Sequence, residues 1–199
     1  THVQGRAVCP LGEQDVLLDV SLLMSEAGLA ITLGIREAGG KVPALEHLGI
    51  DPVDLACVRS VLGTVLRSHA QTPGAKRLLF CTPSGEMHEL GTLGAALLAA
   101  ASGLGVVYLG ADLPATEIAD AAERSRAIGV ALSVVYPYDD PHLHHEIAIL
   151  RGALPPRVHI IAGGAAASAY PDAWRHPNTT LTASLDQLRD YIRGLPSIS

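Results

Sequence analysis

Glu86-Met87-His88-Glu89-Leu90-Gly91 stands between two runs of different character. Before it lies Arg77-Leu78-Leu79-Phe80-Cys81-Thr82, a short apolar run that reads as a strand. After it, residues 89–102 are rich in Ala and Leu and read as a helix. The stretch is therefore a strand-to-helix junction. It carries a histidine two residues after a carboxylate and three before a glycine. A histidine so placed can ligate a metal through one ring nitrogen while a carboxylate holds the other. That contact fixes the tautomer and raises the basicity of the ligand. The plain alternative is a loop histidine bonded to Glu86 with no ligand at all.

The same alternation continues downstream. Residues 106–109, 130–136 and 158–162 read as strands, and 179–182 as a polar edge strand. Residues 114–127 and 142–154 read as helices, and Ser184 caps a last helix over 185–193. Repeated strand–helix units predict an α/β domain: a five-stranded parallel sheet in flavodoxin-like order, covered by helices on both faces. In such a sheet, ligands bind beyond the carboxyl ends of the strands where the order reverses. His88 follows the first strand, Ser133 to Tyr138 close the third, and Gly163-Gly164 follow the fourth. All fall on one edge.

Upstream, Val16, Leu17, Val20, Leu23 and Met24 recur at helical spacing. Asp51 and Pro52 open a further helix carrying Val53, Cys57, Val61, Leu62, Val65 and Leu66. A small helical bundle over residues 1–72 is expected. Gln71-Thr72-Pro73-Gly74 is a turn-rich boundary, and the α/β domain occupies 73–199.

Bulk properties narrow the function. The net charge is -6 and no Lys/Arg cluster is interleaved with aromatics, which argues against direct nucleic-acid binding. No apolar run reaches the length of a membrane span. The start, Thr1-His2-Val3-Gln4-Gly5, lacks the basic and apolar segments of a signal peptide. Cys9, Cys57 and Cys81 form no CxxC pair, which suits a reducing compartment, so a cytoplasmic protein is expected. No G-x-S-x-G or phosphate-loop pattern occurs, and no catalytic nucleophile is expected.

Three elements together resemble the cobalamin-binding domain family, whose marks are D-x-H-x-x-G, then S-x-L or S-x-T, then G-G. They read here as Glu86-Met87-His88-Glu89-Leu90-Gly91, Ser133-Val134-Val135 and Gly163-Gly164. The run from Tyr108 through Gly110 and Asp112 to Pro114 resembles the segment after the family's second strand. The resemblance implies that His88 ligates cobalt from below in place of the dimethylbenzimidazole base, with Glu86 orienting it. It also implies that the nucleotide tail enters a slot where Gly91 leaves room, Ser133 contacts the base, and Gly163-Gly164 admit close approach, with Val135 beside them. Glu86 in place of Asp resembles the regulatory branch, light-sensing carotenoid-gene repressors and related antirepressors. In those relatives a helical cap carries a Trp ahead of a Glu-His pair. Glu46-His47 is such a pair, but Arg36 stands where the Trp would be, and the only Trp is Trp174.

The resulting expectation is a non-enzymatic, light- or ligand-responsive sensor that binds adenosylcobalamin. It would act through oligomerisation or a downstream effector. The alternatives are a corrinoid carrier of a methyltransferase system, a photoreceptor holding a bilin beside cobalamin, and a response-regulator-like domain. The last lacks its acidic cluster, since Thr82-Pro83 closes the first strand.

Overall fold

The computed structural model describes residues 2–11, 14–25, 28–37, 59–60, 62–67, 75–136 and 138–195. They divide into two compact units, Thr1–His69 and Ala70–Ser199.

In the first unit, β1 (His2–Leu11), β2 (Gln14–Ser25) and β3 (Gly28–Glu37) form an antiparallel sheet in the order β1-β2-β3. Leu11 pairs with Gln14 and Ser25 with Gly28, so successive strands are separated by two residues in sequence. The helical reading of residues 16–24, and with it the start of the expected helical bundle, is therefore corrected to strand. Three of the apolar residues used for the helical reading, Val16, Val20 and Met24, also fit a period of two. Val16, Leu18, Val20, Leu22 and Met24 alternate with Asp15, Asp19 and Ser21, and β3 alternates likewise through Leu29, Ile31, Leu33 and Ile35. Its β-branched residues and two-residue connections favour hairpins. The Glu46-His47 pair and the start expected at Asp51 lie outside the described residues. Residues 62–67 are helical, with Leu62, Val65 and Leu66 buried at helical spacing.

The second unit alternates β4 (Arg77–Pro83), α1 (Leu90–Ala101), β5 (Gly105–Leu113), α2 (Ala115–Ser125), β6 (Gly129–Ser133), α3 (Leu143–Ala153), β7 (His159–Gly163), β8 (Thr179–Leu181) and α4 (Leu185–Gly194). Its sheet is parallel, in the order β5-β4-β6-β7-β8, which is the flavodoxin-like order expected. Alternate strand residues serve opposite faces. Leu79, Cys81, Val130, Leu132, Ile160 and Ala162 pack with Ile118 and Ala122 of α2 and Ile147 and Leu150 of α3. Phe80, Ala131 and Ile161 turn to the other face, which α1 and α4 cover. Ser184 caps α4 by accepting the Gln187 N–H. Trp174 is a core residue whose Nε1 donates to the Ala167 carbonyl at 2.8 Å.

The loop after β7 is tied back to β6. Val134 N–H donates to the Gly163 carbonyl at 2.8 Å and Ala166 N–H to the Val134 carbonyl at 3.0 Å. Gly164 adopts φ +99°, and a Cβ there would run into the Val134 peptide. Gly164→Ala is expected to lower stability by at least about 1–3 kcal/mol from backbone strain alone. Gly152→Ala, in an open position near the end of α3, should be neutral or stabilise by up to about 1 kcal/mol. Urea-unfolding midpoints of the two variants check this, and an unchanged midpoint for Gly164→Ala would contradict the geometry.

Candidate functional site

Glu86 sits in the loop between β4 and α1, and its side chain folds back into the protein with 3% of its surface exposed. Its two carboxylate oxygens divide the work. Oε1 accepts the His88 backbone N–H at 2.8 Å and lies 2.7 Å from His88 Nδ1. Oε2 accepts the Val135 N–H at 2.5 Å and the Tyr136 N–H at 2.8 Å. Those last two donors explain a difference from the sequence reading. The third strand, expected to run to residue 136, ends at Ser133, because the carboxylate takes the N–H groups that would have extended the ladder.

Burial works against ionisation of Glu86. The N–H groups of Tyr136, His88 and Val135, together with the His88 ring, nevertheless hold its carboxyl below the ordinary carboxylate range. An ionised Glu86 needs a proton on His88 Nδ1, so the neutral imidazole carries its lone pair on Nε2. The His88 side chain is 60% exposed. Tyr136 meets its ring edge-on at 6.5 Å, and Met87 and Tyr136 are themselves exposed. A basic nitrogen is thus held out beside apolar surface.

Beside this loop, between α1 and α4 against the sheet, lies a cavity of about 500 Å³. Its volume comes from small side chains on α1, where Gly91, Thr92 and Ala95 face the sheet residues Phe80 and Ala131. Gly91, Ser133, Val135, Gly163 and Gly164 all line it, whereas Glu86 and His88 do not. A Cβ on Gly91 would stand 3.8 Å from Ser133 Oγ, an ordinary contact, so Gly91 widens the slot without being required by the backbone. Gly164 is accounted for by its backbone conformation alone.

Sequence reasoning missed Thr92. Its side chain is buried and lines the cavity, yet its Oγ1 finds no hydrogen-bond partner among the described residues. A threonine in the first turn of a helix ordinarily passes for a solvated or self-bonded residue, so spacing gave no signal. A buried hydroxyl without a partner is costly, and this one suits a cavity that takes a ligand with a polar atom.

Among the described residues, no group of three or more His, Cys, Asp or Glu side chains is arranged to hold a metal ion. A lone histidine does not complete the coordination of a bare divalent cation. It suits a metal that arrives with its other ligands, as in a macrocycle. Cys81 is fully buried and burial pushes its thiol up, so it offers no thiolate. No helix among the described residues is long and apolar enough to cross a membrane.

The family model described as "B12 binding domain" matches residues 76–181. A protein of Myxococcus xanthus named HTH-type transcriptional repressor CarH is 35% identical over 147 residues, covering 72% of this chain and 46% of that protein. The chain thus spans about half the length of this curated relative. Two solved structures share the fold. A cobalamin-binding protein from Desulfitobacterium hafniense has 21% identity and a TM-score of 0.50, covering 60% of this chain and 59% of its own. The monomethylamine corrinoid protein of Methanosarcina barkeri has 15% identity and a TM-score of 0.53, covering 71% and 69%.

Glu86→Gln leaves one oxygen where four donor contacts now converge, so an amide NH₂ must face N–H groups on one side. The expected loss is about 1–3 kcal/mol for each buried donor left unpaired, read as a lower urea-unfolding midpoint at neutral pH. Because the folded value of Glu86 is depressed, its contribution is complete above the ordinary carboxylate range and fades as pH falls through the depressed value. The difference between the two proteins should therefore shrink in acid. A difference that grows there would refute the assignment.

Proposed function

The chain belongs to the B12-binding domain family, and we propose that it holds cobalamin with the dimethylbenzimidazole base displaced and His88 as the protein ligand below cobalt. The observation that carries this reading is His88 itself: Glu86 holds Nδ1 at 2.7 Å, and the exposed ring offers Nε2 beside an apolar slot. Glu86 sets the tautomer and the direction of the imidazole. Gly91 leaves the slot open, Ser133 and Thr92 offer hydroxyls to the displaced base, and Val135, Gly163 and Gly164 form apolar and backbone wall. When bound, cobalamin supplies a cobalt centre whose upper ligand can be exchanged.

On this reading the protein is a regulatory sensor for adenosylcobalamin, responsive to light or to a change of ligand, and not an enzyme. Two observations support it. Glu86 is the residue that resembles the regulatory branch, and the curated relative is named as a repressor. Loss of the upper ligand would bias one of two packings of the protein, and oligomer state or an effector would read out that bias. A corrinoid carrier would share the lower face, and differs in accepting a methyl group on cobalt from a partner methyltransferase.

Purified protein loaded with adenosylcobalamin is expected to show the absorption of a histidine-ligated, base-off form. His88→Ala should move the spectrum away from that form and weaken binding by about 10-fold or more, as loss of a metal ligand does. An identical spectrum would overturn the lower-ligand assignment. Illumination is expected to change both spectrum and elution volume; if neither changes, the light-responsive version fails.

A further inference from the structure

Glu86 holds His88, and a second set of contacts holds Glu86. Thr82, the next-to-last residue of β4, is fully buried. Its hydroxyl donates a short hydrogen bond to the Glu86 carbonyl. The same oxygen accepts the backbone N–H of Asp112 at 2.9 Å, and that N–H also lies 3.2 Å from the Glu86 carbonyl. Asp112 in turn reaches across, its Oδ1 accepting the Gly85 N–H at 2.8 Å. The residues immediately before and within the Glu86-Met87-His88 turn are thereby tied to the end of β5, about thirty residues away in sequence.

The backbone is shaped for this. Pairing between β4 and β5 is regular up to Phe80, then shifts register between Phe80 and Cys81 and again before Pro83. Asp112 adopts φ +60°, the left-handed region that a non-glycine residue seldom occupies without compensation, and Gly85 adopts φ +84°. Aspartate tolerates that conformation better than most residues. The strained residue and the register shifts coincide with the contacts that cross from β5 to the histidine loop.

We infer that Thr82 and Asp112 are positioning residues for the lower ligand: they clamp the backbone at Gly85 and Glu86, and through Glu86 set where His88 presents Nε2. Neither lines the slot. The inference rests on the proposed role of His88, and deepens it by naming what makes that imidazole a preorganised ligand. A ligand that must displace an intramolecular base gains from being held in place beforehand, since ordering is then not charged against binding.

Thr82→Val removes only the hydroxyl, while Thr82→Ser keeps it. Asp112→Gly keeps the left-handed backbone at no strain but removes the carboxylate. In the cofactor-free protein, amide hydrogen exchange at Gly85 and His88 should quicken about 10-fold or more in Thr82→Val and Asp112→Gly, and stay at the wild-type rate in Thr82→Ser. With cob(II)alamin and 15N-histidine-labelled protein, the doublet that a 15N imidazole imposes on the cobalt electron paramagnetic resonance lines should give way in part to the triplet of the 14N base-on form in the first two variants. The third should retain it. Global unfolding midpoints, measured alongside, separate this from general destabilisation. Exchange and signature unchanged in both Thr82→Val and Asp112→Gly would overturn the clamp. If wild-type protein binds no cobalamin, the reading of His88 fails, and the exchange rates alone still decide whether the clamp exists. Should Thr82→Val not fold, Asp112→Gly carries the same test.

Discussion

The arrangement depends on one buried carboxylate. Glu86 receives the backbone N–H groups of His88, Val135 and Tyr136 and the His88 ring, so each of its oxygens serves two donors. A buried charge without partners would neutralise itself; this one is paid for fully by hydrogen bonding. The consequence is structural as much as electrostatic. The same group that selects the histidine tautomer also joins two strand ends, β4 and β6, which the sheet alone holds together only as far as Cys81 and Leu132. This edge of the sheet is therefore built around the residue that orients His88.

The slot arises from a complementary constraint, the absence of side-chain volume. Interiors pack densely, so a cavity of about 500 Å³ inside a small domain needs a reason. Here α1 carries Gly91 and Thr92 in its first turn and then Ala95, small residues on the face turned to Phe80 and Ala131. Small residues next to a helix–sheet interface would ordinarily let the two elements close. The loop after β7, pinned to Val134 on both sides of Gly163-Gly164, keeps the far wall in place. The unpartnered Thr92 hydroxyl belongs to this balance, because it puts a buried polar atom without a hydrogen bond on the slot wall.

The strand–helix alternation from Arg77 onward was readable because buried parallel strands are short apolar runs and the intervening helices are rich in Ala and Leu. Glu86, His88, Ser133 and Gly163-Gly164 fall at or just beyond strand ends and Gly91 lies in the first turn of α1; what joined them in the sequence was the resemblance to the family's three motifs. The length of β6 was not readable, since Val134, Val135 and Tyr136 are as apolar as the strand, while the N–H groups of Val135 and Tyr136 turn to a carboxylate about fifty residues away. Thr82 and Asp112 escaped for the same reason: backbone hydrogen bonds to a side chain leave no periodic trace. The first thirty-seven residues misled in the opposite way. A run such as Val16-Leu17-Leu18-Asp19-Val20 satisfies periods of 3.6 and 2 together, and only its β-branched content and pairing partners separate the two.

Replacing the commoner aspartate by glutamate gains a physical account from this geometry. A longer side chain costs more rotamer entropy to fix, and an exposed one would gain nothing by it. Glu86 is fixed regardless, because its oxygens are claimed from both sides and its backbone is held by Thr82 and Asp112. The extra methylene lets one carboxylate span the distance from its own loop to the end of β6 while still folding back to His88. Through that bridge the orientation of His88 is tied to the ends of both β4 and β6.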